Sequence, residues 1–421
     1  MKQKIRCYRN ISSMLTLDGV MLKQGRHVVE SDLSFISKAC LLENKGQILW
    51  LGEEKKIPKK YWPLIKQEIN LDKKTVLPGF VECHTHSLFA GSRAHEFEMR
   101  QQGVSYQEIA KKGGGILSTV SATRKASKKE LQSLLWPRVQ NFLNQGVTTL
   151  EIKSGYGLDE KTEIKMLQAI AETGKSFQLK KGPQIVSTFL GAHSLPKEFS
   201  EISSYLESLI RYLPKIKKYT SRVDIWIEKG FFLSENSRQY LQKAKELGFD
   251  IIIHADQLTL SGGTELAIEL QALSADHVIQ LQSEQIKKLS QSSVTAVLLP
   301  LADLYMKCAY PPARKMIDAG VRVALATDFN PGTCPSQDIS LVGLLARLEM
   351  KMSLAEVIAA YTVGAAYALG LQNQIGSLAV GKNADFAVID QDWTSLFYSA
   401  GKSSVNQVYV AGNSLVLGKH K

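Results

Sequence analysis

The sequence predicts a (β/α)8 barrel of the TIM type with a small β-sandwich domain formed by both chain ends. The chain has 421 residues, 44% of them hydrophobic, which is enough to fill a large core. From Val76 onward, short apolar runs alternate with amphipathic segments of helical length, and turn and strand signals return after Gly376. We therefore expect a small domain of residues 1–75 and 377–421 and a barrel of residues 76–376.

The first 75 residues contain short β-like runs separated by polar turns and a lysine-rich stretch. The clearest runs are 39–43 and 47–51, and no helical period persists around them. The strand signals of the C-terminal tail can pair with these runs. Both chain ends are therefore expected to build one β domain.

Eight apolar or β-branched runs alternate with helical segments in the middle of the chain. Strands that alternate with helices predict a parallel sheet with crossover helices. Eight such units in roughly 300 residues favour a closed barrel over an open doubly wound sheet. The runs end at or near Cys83, Ile152, Leu190, Ile227, Ile253, Val278, Leu299 and Ala326, and the helical segments include 128–144, 160–172, 198–213, 235–247, 265–271 and 284–289.

The chain is basic, with 52 Lys and Arg against 40 Asp and Glu and a net charge of +12. Such a charge would suit nucleic acid or an anionic small molecule. The basic clusters lack the interleaved aromatic residues that stack on bases, so we expect no nucleic-acid partner. A non-catalytic nucleic-acid-binding protein is the remote alternative.

The cysteines indicate a reducing compartment. All five are scattered without a CxxC spacing, which argues against a disulfide framework or a zinc ribbon. There is no run of roughly 18 apolar residues and no signal-peptide pattern at the N-terminus. We expect a cytoplasmic protein without a membrane segment, and a homodimer is left open.

Polar residues follow the predicted strands at their C-terminal ends, where barrels of this type carry their catalytic groups. Five of the eight histidines fall there, which a random scatter of structural histidines would not produce. In order along the chain these polar residues are His84, His86, Lys153, Tyr156, His193, Glu228, His254, His277 and Asp328.

His84-Thr-His86 is the sharpest element of this set. In an extended segment residues i and i+2 point the same way, so both imidazoles can reach one cation. His254 and Asp328 would add an imidazole and a carboxylate from strands across the barrel. This donor set predicts one Zn²⁺ or Fe³⁺ ion per chain and leaves room for a water.

Longer motifs surround the polar residues at the strand ends. They are His84-Thr-His-Ser-Leu-Phe-Ala-Gly-Ser-Arg93, Lys153-Ser-Gly-Tyr-Gly-Leu-Asp159, Thr188-Phe-Leu-Gly-Ala-His193, His254-Ala-Asp-Gln257, Ser274-Ala-Asp-His277 and Thr327-Asp-Phe-Asn-Pro-Gly-Thr333. These motifs resemble those of the amidohydrolase superfamily and, more narrowly, of the imidazolonepropionases. The resemblance implies metal-dependent hydrolysis of the cyclic amide of 4-imidazolone-5-propanoate to N-formimidoyl-L-glutamate, a step of histidine degradation.

The resemblance also implies roles for individual residues. Asp328 or His277 would move the proton, and Arg93 would hold the propanoate carboxylate in a bidentate pair. The alternatives are a surface salt bridge of Arg93 with Glu96 or Glu98 and, for Tyr156, a packed loop aromatic. The remaining substrate or product contacts fall on Tyr156, His193, Gln257, Asn330, Gly332 and Thr333.

Two features separate this chain from other superfamily members. Many superfamily deaminases carry a glutamate three residues after the strand-five histidine, whereas this chain has Gln257, which cannot ionise. A purine or pyrimidine deaminase is the rival interpretation, and Gln257 argues against it. In two-metal relatives a mid-barrel lysine or glutamate bridges a second metal. Lys153 follows the second predicted strand, which is too early in the barrel for that role. We expect Lys153 and Glu228 to be members of structural ion pairs.

Overall fold

The computed structural model describes residues 4–104, 108, 114–390, 392–401 and 403–415. Two eight-stranded sheets organise this part of the chain, one built from both chain ends and one from the middle. No helix within these ranges is both long and apolar enough to cross a membrane.

The two chain ends meet in one mixed sheet, as expected. Ile5–Leu15 pairs antiparallel with Phe35–Asn44 and parallel with Thr75–Pro78. Phe386–Ile389 then pairs antiparallel with Thr75–Pro78, which joins the C-terminal strands to the N-terminal ones. The strands of this sheet are Ile5–Leu15, Phe35–Asn44, Gln47–Glu53, Ile65–Asn70, Thr75–Pro78, Phe386–Ile389, Val405–Val410 and Asn413–Leu415.

The middle of the chain forms the predicted parallel barrel. Each predicted apolar run ends within two residues of a barrel strand's end. In chain order and in sheet order the barrel strands are Phe80–Glu82, Val147–Lys153, Gln184–Ala192, Arg222–Ile227, Asp250–Ala255, Ser274–His277, Thr295–Leu298 and Val323–Leu325. They are called the first to eighth barrel strands below.

Helices connect the strands and cover the barrel. The helix Lys128–Asn144 begins at its predicted residue because Ser127 and Glu130 form a capping box at its start. The α-helices are Asp18–Leu22, Ala94–Gln101, Ile116–Lys125, Lys128–Asn144, Glu160–Leu179, Ile202–Ile216, Ser234–Glu246, Gly263–Glu269, Ser283–Ser290, Pro300–Met306, Ala313–Asp318, Ile339–Leu348, Leu354–Ala359 and Ala365–Ala368, with a π-helical turn at Ala360–Gly364 and 3₁₀ turns at Glu30–Leu33, Glu54–Lys56, Lys59–Leu64 and Trp393–Ser395.

The barrel closes between its first and eighth strands through contacts that also shape the site. The Glu82 carboxylate accepts the backbone N–H of Thr327 at 3.1 Å. Just beyond it, the N–H of His86 donates to the carbonyl of Phe329 at 2.9 Å, and the N–H of Asp328 donates to the carbonyl of His84 at 3.2 Å. The segments that carry His84, His86 and Asp328 are therefore fixed against each other by the closure itself.

Candidate active site

A cavity of about 500 Å³ opens at the C-terminal ends of the barrel strands. Most of the residues predicted from the sequence line it, whereas His84 and Gly332 are not among its lining residues. The predicted residues in the lining are His86, Arg93, Tyr156, His193, His254, Gln257, His277, Asp328, Asn330 and Thr333.

Three imidazoles and one carboxylate meet at the floor of this cavity. Ligand atoms of His84, His86 and His254 lie within 4.8 Å of one another, and all three residues are buried. Oδ1 of Asp328 lies 3.5 Å from Nε2 of His84 and 3.3 Å from Nε2 of His86. The Asp328 carboxylate thus lies against two of the three imidazoles, and these four side chains are called the donor cluster below.

The donor cluster fits a metal ion on its own chemistry. Nε2 of His84 and Oδ1 of Asp328 are buried and have no hydrogen-bond partner among the described residues. Burying a polar atom costs folding free energy unless the atom has a partner. One cation bound between these two atoms would be a partner for both. Burial also lowers the pKa of His84 and His86 well below the usual range, so both imidazoles stay neutral, as ligation requires.

Two buried aspartates orient the imidazoles. Nδ1 of His84 lies 2.6 Å from Oδ2 of Asp276, and Nδ1 of His254 lies 3.0 Å from Oδ1 of Asp224. A carboxylate at Nδ1 fixes the proton there and leaves Nε2 directed at the cluster. Neither aspartate was predicted from the sequence. The signal available was an aspartate inside an otherwise apolar strand, as in Arg222–Ile227.

Both proton-transfer candidates lie at this floor. Burial lowers the pKa of His277 to about 3, so its imidazole is neutral, and its Nδ1 has no hydrogen-bond partner among the described residues. Burial raises the pKa of the Asp328 carboxyl. His277 and Asp328 also have left-handed backbones, with φ of 75° and 55°. Strain of this kind is concentrated at functional sites.

Arg93 forms a buried ion pair at the cavity wall rather than a surface salt bridge. Its Nε donates to Oε2 of Glu96 at 2.7 Å, and the two residues are only 6% and 3% exposed. Gly332 lies against the guanidinium: a Cβ at that position would come within 1.9 Å of Nη1 of Arg93. A glycine is therefore required there for Arg93 to occupy its place.

The loop after the eighth strand is held by Asn330. Its Oδ1 accepts the N–H groups of Gly332 and Thr333 at 2.9 and 2.7 Å, while its Nδ2 donates to the carbonyl of Asp328 at 2.7 Å. Across the cavity His193 stacks on His86, with ring centroids 5.1 Å apart. Burial lowers the pKa of His193, which is therefore also neutral.

Several lining residues were missed from the sequence. Trp226 and Phe231 form an aromatic wall, with ring centroids 3.9 Å apart. Met306, at the end of the helix after the seventh strand, also reaches the cavity. Apolar side chains carry no chemical signal that distinguishes a cavity wall from the core.

Lys153 and Glu228 lie outside the donor cluster. Nζ of Lys153 is 3.1 Å from Oε1 of Glu151 and 2.9 Å from Oδ2 of Asp224, so the expected ion pair is present. Glu228 was also expected in an ion pair, but its carboxylate instead accepts backbone N–H groups, including that of Leu258 at 2.7 Å. It thereby holds the loop that follows the fifth strand.

Comparison with known proteins agrees with this geometry. Residues 226–415 match the model of the amidohydrolase family. An imidazolonepropionase of Bdellovibrio bacteriovorus is 57% identical over 411 residues, which cover 97% of this chain and 96% of that protein. An imidazolonepropionase of Bacillus mycoides is 42% identical over 414 residues, covering 96% and 95%.

Solved structures extend the likeness to the fold. A triazine hydrolase variant aligns with a TM-score of 0.75 at 15% identity, covering 98% of this chain and 94% of that one. An adenosine deaminase of Xanthomonas campestris with bound zinc aligns with a TM-score of 0.71 at 16% identity, covering 98% and 93%. Two sequence relatives above 40% identity over nearly their whole length place this chain among enzymes: it is a hydrolase that belongs to the imidazolonepropionase family of the amidohydrolases.

Proposed function

We propose that this chain hydrolyses the cyclic amide of 4-imidazolone-5-propanoate to N-formimidoyl-L-glutamate, as a cytoplasmic step of histidine degradation. One observation carries the proposal: a metal-ligand cluster and a buried arginine face the same cavity of about 500 Å³. This pairing suits a small substrate that has a hydrolysable ring at one end and a carboxylate at the other. The relatives' shared name, imidazolonepropionase, supports the same substrate.

His84, His86, His254 and Asp328 would hold one Zn²⁺ or Fe³⁺ ion. Such an ion would supply Lewis-acid chemistry, because it polarises a carbonyl and lowers the pKa of a coordinated water to about 7. Bound zinc in the adenosine deaminase of similar fold supports Zn²⁺. Three imidazoles and a carboxylate accept iron equally well, so both ions remain in the proposal.

The remaining residues bind the substrate and move protons. The Asp328 carboxylate lies beside the imidazole nitrogens of His84 and His86, where its second oxygen can take a proton from the attacking water. The neutral His277 can relay that proton from Asp328 to the ring nitrogen that leaves. Arg93 would hold the propanoate carboxylate. The substrate and product contacts in this proposal are Arg93, Tyr156, His193, Gln257, Asn330, Gly332 and Thr333.

The direct test is an assay of the purified protein with freshly prepared imidazolone propanoate, combined with metal analysis. We expect conversion to N-formimidoyl-glutamate with about one metal ion per chain, and loss of turnover after chelation. Release of ammonia from a purine or pyrimidine, without turnover of imidazolone propanoate, would instead show that this protein is a deaminase. We infer no nucleic-acid partner, and a homodimer stays a prediction for a solution mass measurement.

The variant Gln257→Glu separates the two hydrolase interpretations. Gln257 is a neutral donor whose Nε2 contacts Sδ of Met306 at 3.7 Å, beside the cavity. We expect the carboxylate to lower kcat/KM for imidazolone propanoate by about fivefold, because one neutral hydrogen bond of about 1 kcal/mol is lost. Steady-state kinetics on both substrate classes provide the measurement. A gain of deaminase activity would favour the rival.

A further inference from the structure

Lys153 is a fully buried lysine that the proposed chemistry does not use. It ends the second barrel strand, and its side chain is 0% exposed. Two carboxylates on two different strands contact its ammonium, Glu151 at 3.1 Å and Asp224 at 2.9 Å. A third buried carboxylate, Asp276, acts on it electrostatically. Desolvation of a buried ammonium is costly unless partners of opposite charge compensate it, as these carboxylates do.

The first contact of Lys153 leads to the fifth-strand ligand. Asp224 uses Oδ2 toward Lys153 and Oδ1 toward Nδ1 of His254, which lies 3.0 Å away. One carboxylate therefore contacts both the buried ammonium and the imidazole, and it keeps Nε2 of His254 directed at the donor cluster.

The second contact of Lys153 leads to the first-strand ligands. Glu151 uses Oε1 toward Lys153, while its Oε2 accepts the backbone N–H of Thr85 at 3.0 Å. The backbone N–H of Lys153 donates to the carbonyl of the same threonine at 2.9 Å. Thr85 is the residue between His84 and His86. Its peptide groups are thus held from both sides by the Glu151 and Lys153 pair.

We propose that Lys153 is a positioning residue for the metal site: one buried ammonium ties the segment His84-Thr-His86 to His254, and so sets the affinity for the ion. Without this cation, the carboxylates of Glu151 and Asp224 would lose their shared partner and would repel each other in a dry interior. They would move apart, and the ligands on each side would lose their orientation. This inference rests on the ligand set of the proposed function.

The test is the affinity of the protein for Zn²⁺ and Co²⁺, measured by competition with a chelator. Lys153→Met keeps the length of the side chain and removes its charge. We expect the metal dissociation constant to rise about 10- to 100-fold, the usual effect of losing a partner behind a ligand. The visible spectrum of the Co²⁺ form, which reports ligand geometry, should change as well. An unchanged dissociation constant and spectrum would overturn the proposal.

Lys165→Met is the matched control. In the wild-type protein the ammonium of Lys165 is partly buried. It donates to three backbone carbonyls, those of Thr123, Arg124 and Ala126, away from the donor cluster. This variant should lose stability without losing metal affinity. If wild-type protein bound no metal, the proposed function itself would fail; if wild type bound metal and Lys153→Met bound it equally well, only the role of Lys153 would fail.

A double-mutant cycle identifies the route of the effect. If Lys153 acts on His254 through Asp224, then Lys153→Met added to Asp224→Asn should weaken metal binding by less than the product of the two single effects. Fully multiplicative effects would contradict that route. Should Lys153→Met fail to fold, Glu151→Gln decides: weaker metal binding with a shifted Co²⁺ spectrum supports the proposal, and wild-type values for both overturn it.

Discussion

His254→Ala should abolish turnover and release the metal. His254 is 4% exposed, and its Nε2 lies 3.4 Å from Nε2 of His86 at the centre of the donor cluster. A site of three imidazoles and one carboxylate rarely survives the loss of a ligand. Because the ion contributes several kcal/mol to stabilising the transition state, we expect kcat/KM to fall by at least about 1,000-fold. Metal analysis after dialysis and steady-state kinetics provide the two readouts.

The matched control is His95→Ala. His95 lies on the helix Ala94–Gln101, next to the site in sequence, but its side chain is exposed and outside the donor cluster. This variant should keep its metal and its turnover. Stoichiometric metal with near-wild-type turnover in His254→Ala would remove His254 from the ligand set.

The barrel was predictable because its signals are local. Apolar runs, helical periods and caps such as Ser127 with Glu130 each act within a few residues, so the predicted strand ends agree with the structure to within two residues. The clustering of His84 and His86 follows from the same local geometry, since alternate residues of an extended segment share a face. A barrel then brings the C-terminal ends of all its strands to one side.

The support behind the ligands was not predictable, because it depends on contacts between strands far apart in sequence. Asp276 and His84 are 192 residues apart, and Asp224 and His254 are 30 apart. A periodicity argument assigns a residue to a face of one element but does not pair it with a residue of another. The burial of the Arg93 and Glu96 pair was missed for a similar reason, since the loop after the eighth strand covers it.

Arg93→Leu is expected to lower kcat/KM for imidazolone propanoate roughly 30- to 1,000-fold, with the metal content unchanged. The physical reason is the loss of a charge-assisted bidentate contact with the propanoate carboxylate, worth on the order of 2 to 4 kcal/mol. Arg93→Lys should rescue only part of this loss, because an ammonium keeps the charge but not the planar fork. Gly332→Ala should weaken the same contact without removing any charge, since the added methyl would displace the guanidinium.

Two comparisons separate recognition of the carboxylate from simple damage to the site. Removing Arg93 leaves Glu96 buried, with only the N–H of Gly115 and the hydroxyl of Ser118 as described partners of its carboxylate. The double variant Arg93→Leu with Glu96→Gln removes that unpaired charge and should regain stability but not kcat/KM. On a descarboxy analogue, wild type should react poorly, and Arg93→Leu should react no worse than wild type. Equal losses on both compounds would mean that Arg93 holds the cavity wall together, and the propanoate-bearing substrate would lose its main physical support.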